Sequence, residues 1–170
     1  PVRHRIKTGE LATIRSALPD DAAVLLAHRR ALVDEDEFLV TQPDEFDQRP
    51  QQEQDSIRQY LDHPDRLLLV CEVCGTMAGA LFFESGPRKR LAHRGTFDIS
   101  VGREWRGRGL GTVLLQSLIE WAKAHSRIEK LALAVLATNH RAISLYRRHG
   151  FREEGRRVRE IKLGPDQYVD

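Results

Sequence analysis

Cysteine is scarce in this chain: only Cys71 and Cys74 among 170 residues, set in a single C-x-x-C. Cys71 falls in an apolar run over 67–73 that has strand character. Residues i and i+3 of a strand face opposite ways and lie about 10 Å apart, too far to bridge unless Cys74 curls into the turn at Gly75. No second cysteine pair exists and the seven histidines are scattered, so neither a disulfide scaffold nor a zinc site is expected, and no metal. Long apolar runs are also missing. None approaches the ~18 residues of a membrane span, and the opening Pro1-Val2-Arg3-His4 is not a secretory region. Export and membrane association are disfavoured, and a cytoplasmic protein is expected. Charge of one sign is lacking too, since 27 basic and 25 acidic groups leave +2. The basic cluster Arg152, Arg156, Arg157 and Arg159 is diluted by Glu153, Glu154 and Glu160. It reads as a solvated face, so no nucleic-acid partner is expected.

The hydrophobic fraction of 41% and the length suit a single domain over 1–170, which buries roughly 70% of its unfolded surface without cross-links. There is no internal repeat. A strand is expected over 12–17, then a helix start at Pro19-Asp20-Asp21 with acids in its first turn and a helix over 22–33. Acidic, Pro-containing sequence over 34–50 leads to a shorter helix through Ile57, Tyr60 and Leu61. A hairpin follows, with strands over 67–73 and 77–83 about Cys74-Gly75. A basic loop then leads to a strand over 94–101. The segment 109–124 is helical and apolar except for one stripe, Thr112, Gln116, Glu120 and Lys123, so most of its surface is covered. The uninterrupted apolar run 131–136 reads as a strand buried on both faces. Thr138 or Asn139 caps a helix that carries Ala142, Ile143, Leu145 and Tyr146 and stops at His149-Gly150. Phe151 opens a charged strand, and a turn at 164–167 starts a return strand at Tyr168.

The informative segment joins the strand ending at Val101 to the apolar helix. Arg106-Gly107-Arg108-Gly109-Leu110-Gly111-Thr112 places three glycines within five residues at a helix start. Such a turn exposes backbone N–H groups to the positive end of the helix dipole, and Arg106 and Arg108 add full charges, making an anion cradle suited to a diphosphate. A Walker A loop needs a Gly-Lys-Ser/Thr ending, and no lysine is present. A dinucleotide fingerprint needs G-x-G-x-x-G with an acid closing the next strand, and Leu136-Ala137 supplies none. What remains is Arg106-x-x-Gly109-x-Gly111, a pattern that holds the pyrophosphate of coenzyme A; the plain alternative is a turn that merely permits close packing.

At these residues the sequence resembles the GNAT superfamily of N-acetyltransferases. The likeness runs from Ala12 to Asp170 and is strongest over 99–151. The Q/R-x-x-G-x-G/A motif stands at Arg106 to Gly111. A second segment, Asn139-x-x-Ala142-x-x-x-Tyr146-x-x-x-Gly150-Phe151, follows in order. The resemblance implies an α/β (α+β) fold with a mixed, mostly antiparallel sheet, a central splayed parallel strand pair and flanking helices. It implies acetyl-CoA as the cofactor, with Ile99 and Val101 offering backbone groups to its pantetheine. Arg106, Gly107, Arg108, Gly109, Leu110, Gly111 and Thr112 would wrap its diphosphate, Asn139 would contact the arm, and Tyr146 would direct its hydroxyl at the thioester sulfur. The implied reaction is direct attack by the primary amine of a small molecule, amino acid or protein N-terminus. The alternative is a catalytically weak acetyl-CoA sensor or interaction module. A backbone N–H near Val101 is the candidate oxyanion donor. Asp98 and Glu84 are the candidate bases, with His93 a third. Asp34, Glu35, Asp36, Glu37 and Phe38 hint at a cationic amine such as a polyamine, although a charge run is usually a solvated face. Family members close with a further apolar strand, so the return strand at 168–170 is expected to be incomplete, and a homodimer built on it is left open.

Overall fold

The computed structural model describes residues 1–35 and 38–170. Residues 1–35 and 41–133 belong to one compact unit, and 38–40 with 134–170 to another. In the first, β1 (Val2–Arg5), β2 (Leu11–Ser16), β3 (Arg66–Val73), β4 (Thr76–Ser85), β5 (Arg94–Val101) and β6 (Lys130–Ala132) form one sheet in that order, crossed by α1 (Ala22–Glu35), α2 (Pro50–Asp62) and α3 (Leu110–Ala124). Every pairing is antiparallel except β5 with β6. This is the mixed sheet expected. The short charged strand β1 was not expected, and it extends the sheet beyond β2.

Side chains alternate across β4 and β5, and the alternation assigns a helix layer to each face. Ala80 and Phe82 of β4 pack with Leu25 of α1 and Ile57 and Tyr60 of α2 in one apolar cluster. Gly79, Leu81 and Phe83 point the other way, where Phe83 meets Trp121 of α3 at 5.2 Å. Of the polar stripe expected on α3, Gln116, Glu120 and Lys123 are exposed and Thr112 is half-buried, while Leu110, Leu114, Leu115 and Leu118 are fully buried. Truncating one such leucine to alanine costs about 2–5 kcal/mol. Gly79 lets α3 come close: a Cβ there would lie 2.6 Å from the Ser100 carbonyl and 3.3 Å from Leu114.

The apolar run over 131–136 is corrected by the structure. Only Leu131 and Ala132 of it enter the ladder, with Lys130, opposite Gly95, Thr96 and Arg94 of β5. Neither is buried, because β6 is the last strand of the sheet and lacks an outer neighbour among the described residues. Past Thr96 the β5 backbone runs on to Val101 with no partner on that side among the described residues. Cys71 is buried in β3 and Cys74 is exposed at the turn with φ 50°, so both thiols are free.

In the second unit, α4 (His140–Arg148) is capped by Asn139, whose side-chain oxygen accepts from the Ala142 N–H at 3.1 Å. The helix ends at His149, and Gly150 turns the chain with φ 87°. The charged strand expected from Phe151 does not form, since 151–160 has no ladder partner among the described residues. Charges of this segment pair locally instead, Glu153 with Arg147 of α4 and Arg157 with Glu160. The expected turn is present between β7 (Ile161–Gly164) and β8 (Gln167–Val169). Asp170 accepts from the Arg159 N–H and from Arg156, which hold its carboxyl below the usual carboxylate range.

Candidate active site

The site begins where β5 ends. β4 carries one extra residue against β3, because Gly79 faces Cys71 and Met77 faces Glu72, leaving Ala78 between them. The carbonyl of Ala78 takes the Gly102 N–H at 3.0 Å, which ties the start of the glycine turn to the sheet. The turn then uses left-handed backbone at Gly107 (φ 85°) and Gly109 (φ 98°), a conformation costing other residues about 1–2 kcal/mol. Gly109 is the N-cap of α3 and brings no capping side chain. The first ladder bond runs from Val113 to Gly109 at 3.2 Å, so the N–H groups of Leu110, Gly111 and Thr112 have no acceptor within the helix. Three amides and the helix dipole thus converge at one point. A diphosphate fits this turn.

Both arginines of the motif meet carboxylates. Arg106 donates through Nε to the Val101 carbonyl at 3.1 Å and pairs with Glu35 of α1 at 2.6 Å. Arg108 pairs with Glu10 at 3.3 Å and lies 4.9 Å over the Trp105 ring. A bond from the Thr8 side chain, then one from its own backbone N–H and last the Arg108 charge, keep the Glu10 carboxyl below its usual range. A basic residue invisible to motif reading stands at the same turn. The Lys7 N–H donates to the Arg108 carbonyl at 3.0 Å, and its Cγ lies 3.7 Å from where a Cβ on Gly109 would be.

On the α1/α2 face, Asp98 lies directly across from Phe82, and Glu84 across from Thr96, which puts both candidate carboxylates on one side of the sheet. Their states differ. Glu84 pairs with Arg66, its cross-strand partner on β3. Crowding by protein raises the Asp98 carboxyl above the usual carboxylate range, although the Arg29 charge opposes this. Tyr60 stands edge-on to Phe82 at 6.1 Å, and desolvation, then the Glu84 charge, push its phenol up. His93 precedes β5, roughly 26 Å of extended chain from Val101 at ~3.3 Å per residue, and is remote from the turn. Ser100 receives the buried His28 ring, Nε2 to Oγ 2.9 Å, and burial holds that imidazole below its usual pKa. Asp34 and Glu35 of the acidic run form ion pairs with Arg30 and Arg106; Asp36 and Glu37 lie outside the described residues.

Sequence reasoning also missed Arg29 and Glu53. Arg29 follows buried Leu25 and Leu26 at helical spacing, and Glu53 precedes buried Ile57 by four residues. A charge on an apolar helix face is the signal that marks both. In the second unit, Asn139 is spent on capping α4, and the half-buried Tyr146 ring stands 5.9 Å from Phe151.

Comparison with known proteins agrees with this geometry. Residues 33–151 match the Acetyltransferase (GNAT) family. The L-amino acid N-acetyltransferase AaaT of Escherichia coli (strain K12) is 31% identical over 109 residues, 64% of this chain and 67% of that protein. A GNAT-family acetyltransferase structure from Streptococcus pneumoniae superposes with TM-score 0.89 at 29% identity, covering 93% of this chain and 94% of that one. YncA of Salmonella typhimurium, solved with its cofactor acetyl-CoA, shares the fold with TM-score 0.81 at 19% identity, covering 93% and 88%. A buried-helix turn with open amides, on a mixed sheet whose parallel pair ends early, is thus part of a wider pattern: the chain belongs to the GNAT acetyltransferase family and is an acetyl-CoA-using N-acetyltransferase.

Proposed function

We propose that residues 1–170 act as one catalytic domain that acetylates the primary amine of a small molecule, amino acid or protein N-terminus, with free amino acids the first class to test because AaaT is named for them. The two free thiols favour a reducing cytoplasmic setting. The observation that carries the reading is the arrangement along β5. Asp98 lies three residues before the strand's end, on a stretch without a partner at its β6 side among the described residues, and the amide-rich turn follows directly.

Acetyl-CoA supplies its acetyl group as a thioester, so a C–N bond forms as the C–S bond breaks. The amides of Leu110, Gly111 and Thr112 hold the diphosphate, with Gly107 and Gly109 shaping the turn and Lys7 adding charge. Arg106 and Arg108 act mainly by fixing this turn to Glu35, Val101 and Glu10. Ile99 and Val101 present backbone groups to the pantetheine, as does the Asn139 segment. An alkylamine of pKa near 10.4 is mostly protonated at pH 7, and freeing its lone pair costs about 4.6 kcal/mol. Asp98 accepts that proton, and its raised pKa makes it a better base than an ordinary aspartate. Glu84, bound to Arg66, is the weaker candidate. A backbone N–H near Val101 donates to the carbonyl oxygen as negative charge develops there, and the Tyr146 phenol protonates the departing sulfur.

The deciding assay follows thiol release from acetyl-CoA against polyamines, amino acids and amino-terminal peptides. Release that depends on one amine class supports the reading. Saturable coenzyme binding without amine-dependent release contradicts it.

A further inference from the structure

Which amine reaches Asp98 depends on the side chains around Arg29, if acetyl transfer occurs at β5 as proposed above. Arg29 lies on the buried face of α1, and its guanidinium carbon stands 4.2 Å from the Phe82 ring centroid. Phe82 and Asp98 are direct cross-strand partners, so their Cβ atoms lie about 5 Å apart. The guanidinium is held from one end only, where Nη1 donates to Gln48 at 3.1 Å and to Glu53 at 2.9 Å. Its Nε and Nη2 donors have no partner among the described residues. That edge presents two parallel donors whose spacing matches both oxygens of a carboxylate.

Beside Arg29 lies a cavity of about 320 Å³, lined also by Asp47, Gln48, Gln52, Glu53 and Ser56. This is the small end of the range for ligand pockets. Glu53 is 2% exposed, yet its Oε1 has no hydrogen-bond partner. Leaving a buried carboxylate oxygen unsatisfied is costly, and a donor brought by a ligand would offset that.

We propose that the acceptor is a free amino acid. Its α-carboxylate pairs with the Nε–Nη2 edge of Arg29, its α-amine lies at Asp98, and a side chain carrying a hydrogen-bond donor enters the cavity toward Glu53. A polyamine would set a second cation against Arg29, and a peptide amino terminus lacks the α-carboxylate.

The test compares glutamine, its α-amide and a diamine by thiol release, with wild type, Arg29→Gln and Arg29→Lys. Coenzyme A binding to each variant, measured by calorimetry, confirms that it is folded. Wild type should favour glutamine over the amide at least about thirtyfold, and Arg29→Gln should erase that preference, raising the KM for glutamine at least about thirtyfold more than the KM for the amide. Arg29→Lys should keep part of the preference. Equal losses on acid and amide, or a wild-type preference for the amide or diamine, overturn the Arg29 assignment while leaving acetyl transfer standing. Coenzyme binding with no transfer to any amine overturns both.

Discussion

The two parts of the site flank the same strand and are built from different material. At the end of β5 the chain uses main chain: left-handed glycines, open amides, and arginines turned back onto carboxylates. On the α1/α2 face it uses side chains from separate elements, Arg29, Glu53, Tyr60, Phe82 and Asp98, arranged by packing. A backbone site binds a feature common to every reaction of its kind and tolerates little change in conformation. A side-chain site is revised one residue at a time, which is where acceptor specificity resides.

That contrast can be broken from either part. The largest effect is expected at Asp98, where Asp98→Asn should lower kcat by about 10²–10⁴-fold with coenzyme affinity unchanged. Because the Asp98 pKa is raised, wild-type kcat/KM should climb with pH through a limb above the usual aspartate value, and the variant should lose that limb. The raised value also has a sign for stability. The folded state holds the Asp98 proton to higher pH than the unfolded chain, so stability should fall as pH rises from the usual value through the raised one. Chemical denaturation of Asp98→Asn across that window should show a flatter profile.

A smaller loss, about tenfold to a hundredfold in kcat, is expected for Tyr146→Phe with coenzyme affinity within about twofold; parallel losses in both would remove its role as proton donor. Smaller still is Arg106→Gln. If Arg106 serves the turn by holding Val101 and Glu35, coenzyme Kd should rise no more than about tenfold, or about 1.4 kcal/mol. A thousandfold rise would instead make it a direct phosphate ligand.

The glycine turn was legible because a backbone site writes itself into local spacing: Gly107 and Gly109 stand where a side chain would strain the left-handed backbone, and Gly111 completes the motif. β5 and the β3–β4 hairpin were legible for the same reason, through apolar runs bounded by Gly75 and the loop after Ser85. The acceptor face was not, since Arg29 and Phe82 meet only after β3, β4 and two helices have packed. The over-reading of 131–136 has a related cause. An apolar run announces burial but not which strand is last in the sheet, and β6 is last. Lys7 and β1 were lost because a short charged edge strand carries little periodicity.

The most direct measurement is a calorimetric titration of coenzyme A into wild type and Gly109→Val. The variant forces a β-branched side chain into left-handed backbone at φ 98°, and outside the adjoining chain its Cβ meets only Lys7 within 4 Å among the described residues, so its unfolding should stay cooperative, with a modest drop in Tm. Saturable binding by wild type and none by the folded variant is the expected result. Equal affinity in both would show that the turn does not hold the diphosphate.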